Sequence, residues 1–498
     1  MEAPMRRVAA GTDAERRTRE DVRSIPGADA AFQKKGEQAS SAGKRHRKLK
    51  HGTAGVSSKK AAEARIPGGE GRHGETVFRC ADFGADARHE HVRRKTVLSW
   101  KGLFLFVTLR KKKEKVMQAK EWVEKLAEKA DIRINGDRPW DIQVLNEGFY
   151  ARLLKQGTLG LGESYMDGWW ECEAMDAMFC RAIRAHLERP LGHTYPAWAT
   201  KAFHTLFNLQ SRARSFMVAR AHYDTDPALF RAMLGPTMQY SCACWQDVKA
   251  TGPEALDEAQ RAKMEMICRK LSLEPGMTVL DIGCGWGTLA LHMAQEHGVR
   301  VTGVTVSRGQ LAFAQDAAAS SGADVEYRLM DYRSLRGTWD RVVSVGMFEH
   351  VGRRNYGIFM DTVRNSLKAG GLFLLHSIGC NGALGAGAGA DPWLTRYIFP
   401  NGILPSPSTL VNALEHDFVM EDWQNFGVDY DRTLMAWHDN VERGFRDGAF
   451  SCTERIRRMY RYYLLSCAGA FRARSIQLWQ LVLSPEGLPD GYCRKVRG

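Results

Sequence analysis

From about residue 260 the chain alternates short apolar runs with segments of helical spacing, and that alternation admits few folds. Strand, helix and strand in succession build a parallel sheet covered by helices. Apolar runs fall at 277–283, 300–307, 324–331, 339–346 and 372–379, with helix-patterned stretches between them. The run SVGMFEHVG, 344–352, carries a buried strand straight into Glu349 and His350. In open α/β sheets ligands sit outside the carboxyl ends of the strands, so an acid and an imidazole there are candidates for chemistry as much as for a helix cap.

The first of these strands leads into VLDIGCGWGTLA, 279–290, in which Gly283, Gly285 and Gly287 follow a strand and open a helix. Glycines let the backbone turn tightly and lie against a ligand with no Cβ in the way. G-x-G-x-G alone recurs in many folds; the strand, Asp281 at its end and the helix that follows give it meaning. A dinucleotide would call for G-x-G-x-x-G and an acid about 20 residues on, whereas the second strand ends in GVTVS without one. The third strand ends in Asp331-Tyr332, a polar and aromatic pair suited to an adenine. The combination resembles the S-adenosylmethionine site of the Rossmann-like methyltransferases, with Asp281, Gly283 and Gly285 approaching the cofactor and Asp331 at the adenine edge.

The preceding 118–235 segment reads as mainly helical. EWVEKLAEKA has helical spacing, while DIRINGD and WDIQVLN predict two strands around a turn at Asn135-Gly136. Trp169, Trp170 and Tyr165 form an aromatic cluster that favours a core over a membrane contact. The formal charge of +14 suggests an anionic partner until it is located: residues 1–116 hold 28 Lys+Arg against 14 Asp+Glu, and the remainder holds 43 of each. The basicity therefore belongs to a leader with the composition of disorder, including KRHRKLK and RKKKEK, which suit phosphate or lipid headgroups. A new pattern begins at MQAKEWVEKL, which makes Met117 a candidate start of the translated chain. No run reaches the roughly 18 apolar residues that span a bilayer. The eleven cysteines include no C-x-x-C pair, which argues for a reducing cytoplasm and against a zinc or disulfide framework.

Longer motifs sharpen the resemblance. LGLGESYMDGWWEC, MQYSCACW, VLDIGCGWGTLA, SVGMFEHVGRRNY, FLLHSIG, YIFPNGILPS, FVMEDWQNFGVDYDRTLMAW and CAGAFRARSIQLWQ, collinear from about 118 to 485, resemble the bacterial cyclopropane-fatty-acyl-phospholipid synthases. That family also includes the mycolic acid cyclopropane synthases. The resemblance implies an enzyme that adds the methyl carbon of S-adenosylmethionine to a cis double bond of an acyl chain and loses a proton as the three-membered ring closes. It also implies a bound bicarbonate as base, held at positions matching Cys242, Glu349, His376 and Tyr430 with the backbone at Ile378. Tyr240 and Ser241 match positions near the methionine end of the cofactor, Thr305 and Gln310 the second-strand region, and Tyr332 the neighbourhood of the adenine. HYDTDPALF, 222–230, departs from the family, with Asp226, Pro227 and Ala228 where Gly, Asn and Asp are expected; Thr288 and Cys244 are further departures.

The fold class expected is α/β: a Rossmann-like catalytic domain over 236–498, a smaller, mainly helical lipid-associated domain over 117–235, and a basic leader over 1–116. The resemblance implies unsaturated membrane phospholipid as substrate, peripheral contact at the inner membrane surface from the cytoplasm, and no metal; a homodimer is one assembly compatible with it. A C-methyltransferase acting on another lipid or small acceptor is the alternative activity. Nucleic-acid binding through the leader is disfavoured because no RNA-binding module accompanies the charge. Retention of Cys242, Glu349, His376 and Tyr430 disfavours an inactive lipid binder.

Overall fold

In a computed structural model the described residues are 117–187, 227–381 and 391–494. The basic leader, most of the 222–230 departure and the Gly/Ala stretch at 382–390 lie outside them. Helices α1 (117–128), α2 (Gly148–Gln156), α3 (Thr158–Met166) and α4 (Met175–Arg184) open the chain. The turn at Asn135 forms, with φ at 55°, yet the expected hairpin does not. Its arms meet through one bridge, Ile134 to Ile142, and β1 (Gln143–Val144) pairs instead with β2 (Trp170–Glu171). Burying Trp170 against Phe149 and Tyr165 draws that strand partner from further along the chain.

Helix α5 (Pro227–Leu234) and the long α6 (Pro253–Lys270) lead into the sheet. Strands β3 (Thr278–Ile282), β4 (Arg300–Thr305), β5 (Val325–Leu329), β6 (Trp339–Val345) and β7 (Leu367–Cys380) run parallel. The complete order is β5-β4-β3-β6-β7-β9-β8, with β9 (Ile476–Ser484) antiparallel to both β7 and β8 (Val419–Asn425). Helices α7 (Thr288–His297), α8 (Arg308–Ser321) and α9 (Tyr356–Asn365) are the crossovers. Because β4 lies on one side of β3 and β6 on the other, the chain reverses its winding there and leaves a crevice at the carboxyl ends.

Four later helices close the fold: α10 (Pro392–Tyr397), α11 (Pro407–Leu414), α12 (Gly427–Arg446) and α13 (Glu454–Arg472). Helix α13 packs on α12, α4 and α3, so one apolar core runs from Val123 and Trp170 to Tyr462 and Phe471. Arg458 of α13 ties this junction by donating to the Tyr165 and Trp170 carbonyls and to Glu171. Trp170 and Tyr165 are 0% and 1% exposed, which places both in the core as expected, whereas Trp169 is only half-buried, with the Arg152 guanidinium 4.9 Å over its ring.

Candidate active site

The glycine loop between β3 and α7 adopts backbone that L side chains resist: φ is +86° at Gly283, +56° at Gly285 and +86° at Gly287. Amides of Gly283 and Cys284 both donate to the Val304 carbonyl at 2.9 and 3.1 Å, pinning the loop to β4. Tyr327 Oη donates to the Gly287 carbonyl at 2.7 Å, and a Cβ at Gly287 would stand 2.5 Å from the Tyr327 hydroxyl oxygen. At Gly285 a Cβ meets nothing within 4 Å, because the position opens onto a cavity. Gly287→Ala is therefore expected to cost more than about 2 kcal/mol, since steric collision adds to left-handed strain. Gly285→Ala should cost about 1 kcal/mol but weaken cofactor binding more. Urea midpoints and cofactor titration of the two variants check the ordering.

The cavity has a volume of about 210 Å³, and all nine expected cofactor residues line it: Tyr240, Ser241, Asp281, Gly283, Gly285, Thr305, Gln310, Asp331 and Tyr332. Asp331 caps the short turn Tyr332–Ser334, and its carboxylate is clasped by Arg333 through Nε and a terminal nitrogen, each at 2.7 Å. Thr305 Oγ1 donates to Gln310 Oε1 at 3.1 Å, fixing the amide at the rim. Asp281 is 2% exposed, and its Oδ2 has no hydrogen-bond partner among the described residues. Burial pushes that carboxyl up to about 7.

Beside it lies a group the sequence reading missed. Lys263 is 1% exposed; Nζ donates to Ser241 Oγ at 2.9 Å and to Gln239 Oε1, and burial pulls its ammonium down to about 7. It braces the 239–241 segment from behind. The available signal was periodic: Leu256, Gln260, Lys263, Ile267 and Lys270 recur at helical spacing on the buried face of α6, and three of the five are polar.

The five residues expected around the base do not line this cavity. Cys242 continues its lining segment inward, and the thiol, buried and pushed well up, lies 3.3 Å from the Ala243 carbonyl. Glu349 and His350 part company at the end of β6. His350 faces the cavity, whereas Glu349 turns toward β7, where Oε1 accepts from the Ile378 amide at 2.6 Å. That amide thus orients the carboxylate. Burial pushes Glu349 up to about 7, against the opposing pull of the Ile378 amide. Oε2 of Glu349 has no partner among the described residues, and neither has Nε2 of His376. Gln480 Nε2 faces His376 Nδ1 at 3.2 Å, so Nδ1 accepts and Nε2 carries the proton. Burial, reinforced by Lys263 and Lys270, holds the imidazole well below its usual range and therefore neutral. Tyr430, from α12, lies with its ring centroid 4.5 Å from that of Phe471, and burial raises its phenol well up. Tyr240 stands between the two groups, its ring 5.3 Å from Trp437, which in turn meets Tyr430 at 6.1 Å.

A glycine loop after the first parallel strand, a buried acid beneath it and an acid-aromatic pair ending the third define a Rossmann-like methyltransferase of the S-adenosylmethionine-dependent class. The coclaurine N-methyltransferase, 22% identical, shares the fold with a TM-score of 0.52, covering 66% of this chain and 99% of its own. The profile of the mycolic acid cyclopropane synthetase family matches residues 210–481. The cyclopropane-fatty-acyl-phospholipid synthase of Escherichia coli is 50% identical over 366 residues, 74% of this chain and 93% of that protein. The tuberculostearic acid methyltransferase of Mycobacterium tuberculosis is 31% identical over 360 residues, 68% of this chain and 81% of its own. The chain belongs to the mycolic acid cyclopropane synthetase family, and it is a methyltransferase enzyme.

Proposed function

We propose that the protein transfers a methylene group from S-adenosylmethionine to the cis double bond of unsaturated phospholipid acyl chains, with bicarbonate bound as the base. The observation that carries the chemistry is the pair of orphaned polar atoms, Glu349 Oε2 and His376 Nε2, buried behind the loop whose neighbours line the cofactor cavity. A buried polar atom without a partner is costly unless something else satisfies it. A neutral imidazole offering N–H and a carboxylate oxygen offering an acceptor fit an anion with one hydroxyl. Glu349, His376, Cys242 and Tyr430 are the residues that would hold it, and the Ile378 amide keeps Glu349 in place.

S-adenosylmethionine, held by the residues that line the cavity, would supply an electrophilic methyl carbon to the alkene, the S–CH3 electron pair leaving with S-adenosylhomocysteine. Bicarbonate supplies a base for the proton lost from that carbon as the ring closes. The protein excludes water, which would capture a carbocation: Phe426, Tyr430, Trp437 and Phe471 wall the region and are each less than a tenth exposed. His376 and Glu349 fix the position of the proton acceptor, and Lys263 steadies the 239–241 segment facing the cofactor.

The decisive experiment supplies methyl-labelled S-adenosylmethionine and unsaturated phospholipid vesicles to the purified protein. Acyl chains one CH2 heavier and without the alkene support the reading. Branched or methylene products would favour the alternative C-methyltransferase, whose relative is 31% identical against 50% for the cyclopropane enzyme.

The substrate calls for membrane contact, and no helix among the described residues is long and apolar enough to cross a bilayer. We assign that contact to the membrane surface, on the cytoplasmic side. Among the described residues, four of the ten exposed large apolar side chains, Met117, Trp122, Leu145 and Leu154, fall within 117–154, which favours that stretch as the apolar contact. The net +14 of residues 1–116 adds attraction to anionic lipid at about 1 kcal/mol per basic residue near the surface. Vesicle co-sedimentation is expected to fall steeply with salt for the full chain and little for 117–498, because salt screens charge but not apolar burial. Equal salt dependence would move the charge contact onto the folded part.

A further inference from the structure

Away from the cavity, helices α6 and α7 pack together and bring four chemically matched side chains to one place. Glu265 and Cys268 stand three residues apart on α6; His292 and His297 stand five apart on α7. One ligand atom from each of the four lies within 4.8 Å of all the others. Glu265 Oε2 is 3.0 Å from His297 Nε2 and 3.6 Å from His292 Nε2. Arg269 Nε approaches the other oxygen, Oε1, at 3.3 Å and so leaves Oε2 to the imidazoles. An ion pair between Glu265 and His297 would explain half of this arrangement. It leaves His292 Nε2 buried with no hydrogen-bond partner among the described residues, and it gives no role to the fully buried Cys268.

We propose that Glu265, Cys268, His292 and His297 form a zinc site. Zinc takes thiolate, imidazole and carboxylate together in tetrahedral sets, and ligand distances of about 2.0–2.3 Å place neighbouring ligand atoms about 3.4 Å apart. The two carboxylate–imidazole separations bracket that spacing. Cys268 forms the floor at 0% exposure, while the two histidine side chains at 17% and 19% and the glutamate at 37% leave an entry from solvent. Binding exchanges the Cys268 thiol proton for the metal and releases it to solvent. Four protein ligands fill the coordination shell, so the metal is structural. It fastens α7, which begins directly after the glycine loop, to α6, which carries Lys263. The absence of C-x-x-C spacing concealed the site, because its ligands come in pairs from two helices rather than from one short loop.

The test uses the full, untagged chain, stripped with chelator and titrated with Zn2+ against a chromophoric competitor. One zinc per chain is expected. Cys268→Ser and His292→Ala should each weaken it by at least about 100-fold, beyond the 10–100-fold typical of losing an outer-shell partner. With Co2+ as probe, wild type should show tetrahedral d–d bands and a thiolate charge-transfer band; the latter should vanish in Cys268→Ser and persist when the exposed Cys493 is replaced by serine. His297→Ala, at a partly exposed position, gives a second reading if Cys268→Ser folds poorly. Less than one zinc per chain, no thiolate band, or affinity unchanged in the histidine variants would overturn the assignment.

Discussion

Replacing Glu349 by glutamine is expected to cut turnover by about 10²–10⁴-fold while leaving the apo protein at least as stable as wild type at pH 8. The carboxyl is 6% exposed, and burial lifts it from an ordinary 4.5 to about 7. A group raised in the folded state holds its proton more tightly there than in the unfolded chain. Its stabilising contribution is complete below about pH 4.5 and is lost as pH rises through about 7. At pH 8 the ionised, buried carboxylate disfavours folding by as much as about 3 kcal/mol relative to acid conditions. An amide keeps the oxygen that accepts from the Ile378 amide and does not ionise. The stability gap between variant and wild type should therefore widen as pH rises from about 4.5 to about 7 and level off above that; Asp281, raised in the same way, is common to both proteins. Urea unfolding at the two ends of that range, with turnover at saturating cofactor, checks both halves. Near-normal turnover, or a variant less stable than wild type at pH 8, would contradict the role given to this carboxylate.

Trp393→Ala should lower stability by about 3–5 kcal/mol, the usual range for emptying a buried tryptophan site. The ring is 0% exposed and packs at a tilt, with its centroid 4.4 Å from that of Tyr462 and 5.4 Å from that of Tyr397. Its Nε1 lies 3.3 Å from Met166 Sδ, and any side chain at Gly162 would collide with it. The residue thus joins α10 to α3 and α13, three elements distant in sequence. Their backbones cannot all close on the void at once. Trp393→Phe keeps most of the apolar contact and should recover the larger part of the loss. Urea midpoints decide the matter: a change below about 1 kcal/mol for alanine would mean that the junction is not packed as described.

The strands that build the cofactor crevice were legible because each is a short apolar run bounded by turn residues. Reading them at 277–283 and 300–307 against Thr278–Ile282 and Arg300–Thr305 misplaces ends by one or two residues. The last parallel strand begins at Leu367 rather than 372, since Leu367 pairs with Trp339 across an irregularity that Gly370 and Gly371 accommodate. The expected hairpin at Asn135-Gly136 failed for the opposite reason. Its turn chemistry was sound, yet burying Trp170 favoured a partner that local pattern does not reveal.

By itself the sequence determined what is local: a parallel α/β sheet, a glycine loop on its first strand, and acids at the strand ends. Loops at adjacent carboxyl ends converge whatever else the chain does, which is why seven of the nine residues expected at the cofactor line one cavity; Tyr240 and Ser241 reach it from the segment before α6. Tertiary structure alone decided what lies opposite each buried group. It seated α3 and α4 on α13, turned Glu349 toward Ile378 and away from the cavity, and set Tyr430 near Cys242 although 188 residues separate them. It also sank Lys263 behind Ser241 and gathered Glu265, Cys268, His292 and His297. The reason is physical: the charge, proton and partner of a buried side chain depend on the desolvating surface packed against it, and that surface is supplied by residues far away in the chain.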